Sequence, residues 1–77
     1  MAGTDQVDGA REVRRARNAD ELLTALYGTP VAERRAALAG RSDSAWVALL
    51  QEAADLCGVD AVGMSKAQAV RAVLENF

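Results

Sequence analysis

The chain has 77 residues, a formal net charge of −2 and no histidine. That length holds one domain at most, and without histidine the usual neutral-pH acid–base group and the commonest metal ligand are missing. Cys57 is the only cysteine, which excludes an intrachain disulfide and the usual thiolate zinc site and predicts a reducing, cytoplasmic setting.

Residues 1–9 show no periodicity, carry Gly3 and Gly9, and read as a disordered N-terminal tail. Residues 10–77 read as a single helical domain. "AREVRRARN" is helix-permissive, but its only large apolar residue is Val13. It predicts either a polar, basic helical arm or the first turns of a longer helix. Asn18 can cap a fresh helix, with Glu21 three residues on as its reciprocal partner. That helix carries Leu22, Leu23, Leu26 and Tyr27 on one face, and Gly28 is placed to end it in the left-handed position.

Thr29-Pro30 restarts the chain: Thr29 as cap, and Pro30 at the first helical position, where a missing N–H costs nothing. The helix runs through "VAERRAALA", with Val31 and Leu38 on its apolar side, and Gly40 closes it. Ser42 or Asp43 caps the next helix. There Trp46, Leu49, Leu50, Ala53 and Leu56 form the best amphipathic stripe in the chain. That stripe makes Trp46 a core residue rather than an interface anchor. Gly58 ends the helix, and Val59 can fold back on its last turn in a Schellman arrangement.

Ser65-Lys66-Ala67-Gln68 is a capping-box pattern, followed by Val70, Val73, Leu74 and Phe77 at helical spacing. No period-2 run of β-branched residues appears, so no strand is expected. The predicted fold is all-α. It has four helices, with a fifth if the basic stretch stands alone, and ends in a helix–extended-loop–helix unit over residues 45–77.

Leu49, Leu50, Leu56, Gly58, Val59, Gly63, Ser65, Lys66, Ala67, Val70, Val73 and Leu74 carry a resemblance. Their arrangement resembles the helix–extended-loop–helix units of the SAP family and of the Rho termination factor N-terminal domain. In those families an apolar helix ends at Gly plus an aliphatic residue, and a small residue and Lys open the second helix. Ala69 stands where they usually place Leu. The resemblance implies a nucleic-acid-binding fold in which the loop and the start of the second helix approach the backbone, with Ser65 and Lys66 carrying the contact. Free N–H groups and the positive end of a helix dipole favour phosphate there.

Charge narrows where phosphate could be held. Residues 11–41 set seven arginines against four carboxylates, a net +3, whereas residues 42–77 set two cations against five, a net −3. The loop "GVDAVGM" has no basic residue and contains Asp60. Nucleic-acid binding therefore has to recruit Arg11, Arg14, Arg15, Arg17, Arg34, Arg35 or Arg41 alongside Ser65 and Lys66.

The apolar half of the chain is dominated by 17 alanines, which bury little area. A chain this short hides only about 60% of its unfolded surface. A protein partner or a homodimer could supply the missing burial. This leaves two expected roles: a small nucleic-acid-binding accessory or regulatory protein, or a protein–protein interaction adaptor or inhibitor with no nucleic-acid contact. Neither is enzymatic. No Gly-rich phosphate loop or nucleophile elbow appears, Glu52 and Asp55 read as solvated charge, and no cofactor or metal is expected. No run of 18 apolar residues exists, and "MAGTDQVDGA" is polar and acidic rather than signal-like, so no membrane partner is expected.

Overall fold

The computed structural model describes residues 9–77. Among them are five α-helices and no strand: α1 (Gly9–Arg15), α2 (Ala19–Tyr27), α3 (Val31–Ala39), α4 (Ser44–Leu56) and α5 (Lys66–Asn76). The all-α expectation holds. The tail expected over residues 1–9 lies outside the described residues apart from Gly9, which opens α1. No described helix is long and apolar enough to cross a membrane.

The basic stretch is neither an arm nor part of a longer helix. It forms a separate helix that packs on α2 and α3 through the fully buried Val13 and through Ala16 just beyond its end. A helix of seven residues has too few internal bonds to persist alone, so this docking holds it. The chain then turns at Asn18, which is extended (φ −150°, ψ 169°) and accepts the Glu21 N–H on its side chain at 2.9 Å. Glu21 reciprocates one residue earlier than a standard capping box would: its Oε1 accepts from Arg17 N at 2.9 Å.

Along α2, Ala19, Leu22 and Leu26 are buried, but Tyr27 stays 76% exposed. The helix ends without a left-handed residue: Gly28 has φ −84° and ψ 2°. The last turn tightens instead, with Gly28 N donating to Ala25 O and Thr29 N to Leu26 O, both at 3.0 Å. Thr29 does not cap α3 either. It is buried, and its hydroxyl turns back to donate to Ala25 O at 2.9 Å. Pro30 takes the N-cap place of α3 with no side-chain bond. Burial along α3 begins at Arg34 and is complete at Ala37 and Leu38, so Val31, two turns earlier on the same side, is left 76% exposed.

Asp43 caps α4 by accepting from Trp46 N at 3.2 Å. Trp46, Leu50, Ala53 and Ala54 are buried. Leu56 is 60% exposed, against expectation. At 3.6 residues per turn it points about 80° away from Trp46, and Cys57, half-buried, takes the inward direction. Burial raises the Cys57 thiol pKa. The helix closes as a full Schellman motif: Val59 N donates to Ala54 O at 3.0 Å and Gly58 N to Asp55 O at 2.9 Å, with Gly58 at φ +92°.

The loop to α5 is internally bonded. Asp60 Oδ1 accepts from Val62 N at 3.2 Å, Met64 N donates to Ala61 O at 3.1 Å, and Gln51 Nε2 donates to Met64 O at 2.7 Å. Ser65 and Gln68 form the complete capping box of α5. Among the described residues the core gathers sixteen buried apolar residues, of which eight are alanines, so little side-chain volume fills the space between the helices. Ala69, with Ala72, Val70 and Val73, faces this core. Among the described residues no buried side-chain N or O atom lacks a hydrogen-bond partner.

Candidate nucleic-acid interface

Helix carboxyl ends carry unpaired carbonyls and the negative end of the macrodipole. In this fold three cations each close a different one. Arg41 Nη1 donates to Arg14 O at 3.0 Å and to Ala16 O at 3.4 Å, at the end of α1. Arg34 Nε donates to Leu26 O at 3.1 Å and to Thr29 O at 2.9 Å, at the end of α2. Lys66 Nζ donates to Ala39 O at 3.0 Å, at the end of α3.

Arg41 is the most heavily engaged of the three. Its Nε and Nη2 meet the Asp43 carboxylate at 2.7 and 3.2 Å, and its guanidinium carbon sits 4.9 Å from the Trp46 ring centroid. The hydrogen bond from Arg41 holds the Asp43 carboxyl below the usual carboxylate range, against a smaller opposing effect of desolvation. Beneath this pair Trp46 Nε1 donates to Leu38 O at 2.8 Å. Arg41 thus joins the end of α1 to the start of α4 and roofs the largest core side chain.

The residues expected to meet nucleic acid divide into groups. Arg14, Arg41 and Lys66 converge on the turn from Ala39 to Arg41. A Cβ added to Gly40 would lie 3.2 Å from Arg14 Cδ, so the Arg14 stem runs across that glycine. Arg15 and Arg17 flank two shallow grooves. One runs along α2, with Glu12, Asp20 and Glu21 in its lining, and the other reaches Arg41, Leu49 and Glu52. Arg17 is 87% exposed and only loosely paired with Glu21 at 3.9 Å, a contact worth little in water.

Arg11, Arg14, Arg15 and Arg35 are all exposed. Arg34 turns away to the end of α2, where its guanidinium carbon lies 5.0 Å from the Phe77 ring centroid. The Ser65 hydroxyl is occupied by the α5 cap, accepting from Gln68 N at 3.2 Å. Sequence reasoning placed Arg41 only among the cations to be recruited and missed it as the hub. The available signal was local: Arg41 precedes the α4 cap by two residues, within reach of its carboxylate.

Exposed arginines beside a partly exposed lysine can neutralise phosphate oxygens through charge-assisted hydrogen bonds. Lys66 retains two N–H donors beyond the one given to Ala39. Comparison of the chain with protein families, with curated proteins and with solved structures finds no match.

Proposed function

We propose that this chain is a small, non-enzymatic, nucleic-acid-binding accessory or regulatory protein working in the cytoplasm. The convergence of Arg14, Arg41 and Lys66 on the Ala39–Arg41 turn, with Arg15 and Arg17 beside it, carries this reading. Cations separated in sequence by up to 52 positions, from Arg14 to Lys66, come to one end of the bundle despite a net charge of −2. The SAP-like reading of residues 45–77 belongs to the same proposal. It is supported by the Gly58–Val59 closure, the internally bonded loop and the Ser65 capping box. In that reading Lys66, at the start of the second helix, is shared between the unit and the basic rim made by Arg14, Arg15, Arg17, Arg41 and Lys66.

Fluorescence anisotropy of labelled DNA and RNA, titrated at low and moderate salt, tests it. Binding that weakens steeply with salt and falls on Arg14→Ala/Arg15→Ala supports the reading; no binding at low salt removes it.

A second reading, a protein-interaction adaptor or inhibitor acting as a homodimer or on another protein, is favoured by one observation. Tyr27 and Val31 are each 76% exposed, and Tyr27 meets the half-buried Phe77 ring at 4.8 Å. Light scattering on the same sample distinguishes it: a salt-resistant dimer without nucleic-acid binding selects this reading.

A further inference from the structure

We propose that the basic rim grips the phosphodiester backbone alone and does not read base sequence. This inference rests on the nucleic-acid reading above and specifies how that site works. The most discriminating readers of base identity are side-chain amides, guanidinium forks held in register, and aromatic faces that stack on unpaired bases. The fold withholds each of these from the rim.

All four amide side chains among the described residues are engaged within the chain. Asn18 caps α2, Gln51 holds the Met64 carbonyl, Gln68 completes the capping box and Asn76 bonds Ala72 O at 2.9 Å. Two guanidinium groups are fixed in orientation, and neither is offered to a base: that of Arg41 is directed at Asp43 and the α1 carbonyls, and that of Arg34 at the α2 carbonyls and the Phe77 ring. Trp46 is fully buried. Tyr27 and Phe77 meet each other at the opposite ends of α2 and α5 from Arg17 and Lys66. At 1.5 Å per residue those ends lie about 14 and 17 Å along the helices from the rim.

The helix that carries two of the rim arginines is not free to enter a groove from this side either. α1, which bears Arg14 and Arg15, is seven residues long and packed by both α2 and α3. What remains is charge at the ends of long side chains, with Glu12, Asp20, Glu21 and Glu52 close by to limit how many phosphates can be held. That leaves about four phosphate contacts. Affinity for a duplex should then fall roughly 50-fold between about 50 and 150 mM salt.

The test is a set of equal-length labelled DNA duplexes, AT-rich, GC-rich and mixed, with the matching single strands and an RNA duplex, titrated with the full chain at fixed low salt. The expected result is a spread of less than about tenfold among the DNA duplexes, with single strands bound more weakly because their charge density is lower. Arg14→Ala/Arg15→Ala should weaken every duplex by the same factor and reduce the salt slope. Circular dichroism of that variant shows whether its fold is kept, and Arg17→Ala provides an independent check on the rim. A preference above about tenfold for one duplex, or tighter binding of a single strand than of its duplex, overturns the inference while leaving the nucleic-acid reading intact. Absence of binding to every probe at low salt overturns both.

Discussion

Lys66 Nζ lies 3.0 Å from the carbonyl oxygen of Ala39, so the first residue of α5 closes the last turn of α3. The bond joins residues 27 apart in sequence. It makes Lys66 a structural residue as well as a candidate phosphate contact. Replacement by Met keeps the stem and removes the charge, and should cost about 0.5–1 kcal/mol, the lower part of the net worth of a hydrogen bond because this one is exposed. Urea titration measures this. Arg at the same position should restore most of the stability, because it too places a cation at the α3 carboxyl end.

Trp46 is buried, and its indole N–H satisfies Leu38 O. Trp46→Phe keeps most of the volume but leaves that carbonyl without its donor. The expected loss is about 1–3 kcal/mol from the unpaired group. Trp46→Ala adds a cavity, and about 3–5 kcal/mol would leave so small a domain largely unfolded. Thermal melts followed by circular dichroism separate the two variants.

Gly58 has φ +92°, and a Cβ placed there would meet nothing within 4 Å. Gly58→Ala therefore isolates the backbone cost of a left-handed residue, about 1–2 kcal/mol, without a steric clash. A urea midpoint unchanged from the parent would show that the Schellman closure, with Val59 N on Ala54 O, contributes little.

Asp43 has its carboxyl pKa lowered by Arg41. A folded-state pKa below the unfolded one contributes stability that is fully present above the unfolded value, 3.8, and is lost as pH falls through the folded value. Acid unfolding should therefore steepen below that point. Asp43→Asn retains an N-cap acceptor for Trp46 N but loses the charge, so the stability it retains should vary less with pH in this window. Thermal midpoints of both proteins across the acid range check the difference.

The helix boundaries were readable because their determinants are local. Asn18, Asp43 and Ser65 each accept an N–H three residues ahead, and Gly58 and Val59 bond back to the turn just before them. Where two local solutions competed, the reading failed. Thr29 could have capped α3, but its hydroxyl closes α2 and leaves the N-cap place to Pro30. Gly28 was expected to be left-handed, yet tight bonds from its own N–H and that of Thr29 satisfy the α2 carbonyls first. Leu56 and Val31 belong to apolar stripes but sit where neighbouring helices no longer cover them.

The sequence by itself determined that this protein is helical, where α2, α4 and α5 start and stop, and that its core is thin and rich in alanine. Those properties follow from spacing, caps and side-chain volume, all set within a few residues. Only the tertiary structure decided which cations face solvent and which close a helix. Arg41 reaches Arg14 O across 27 residues, and Arg34 reaches back eight residues to Leu26 O. An arginine in a sequence is a charge on a long, flexible stem, and its partner depends on which carbonyls packing brings within about 3 Å. Periodicity along the chain carries no such information, so the rim around Gly40 became visible only once α1, α3, α4 and α5 were in place.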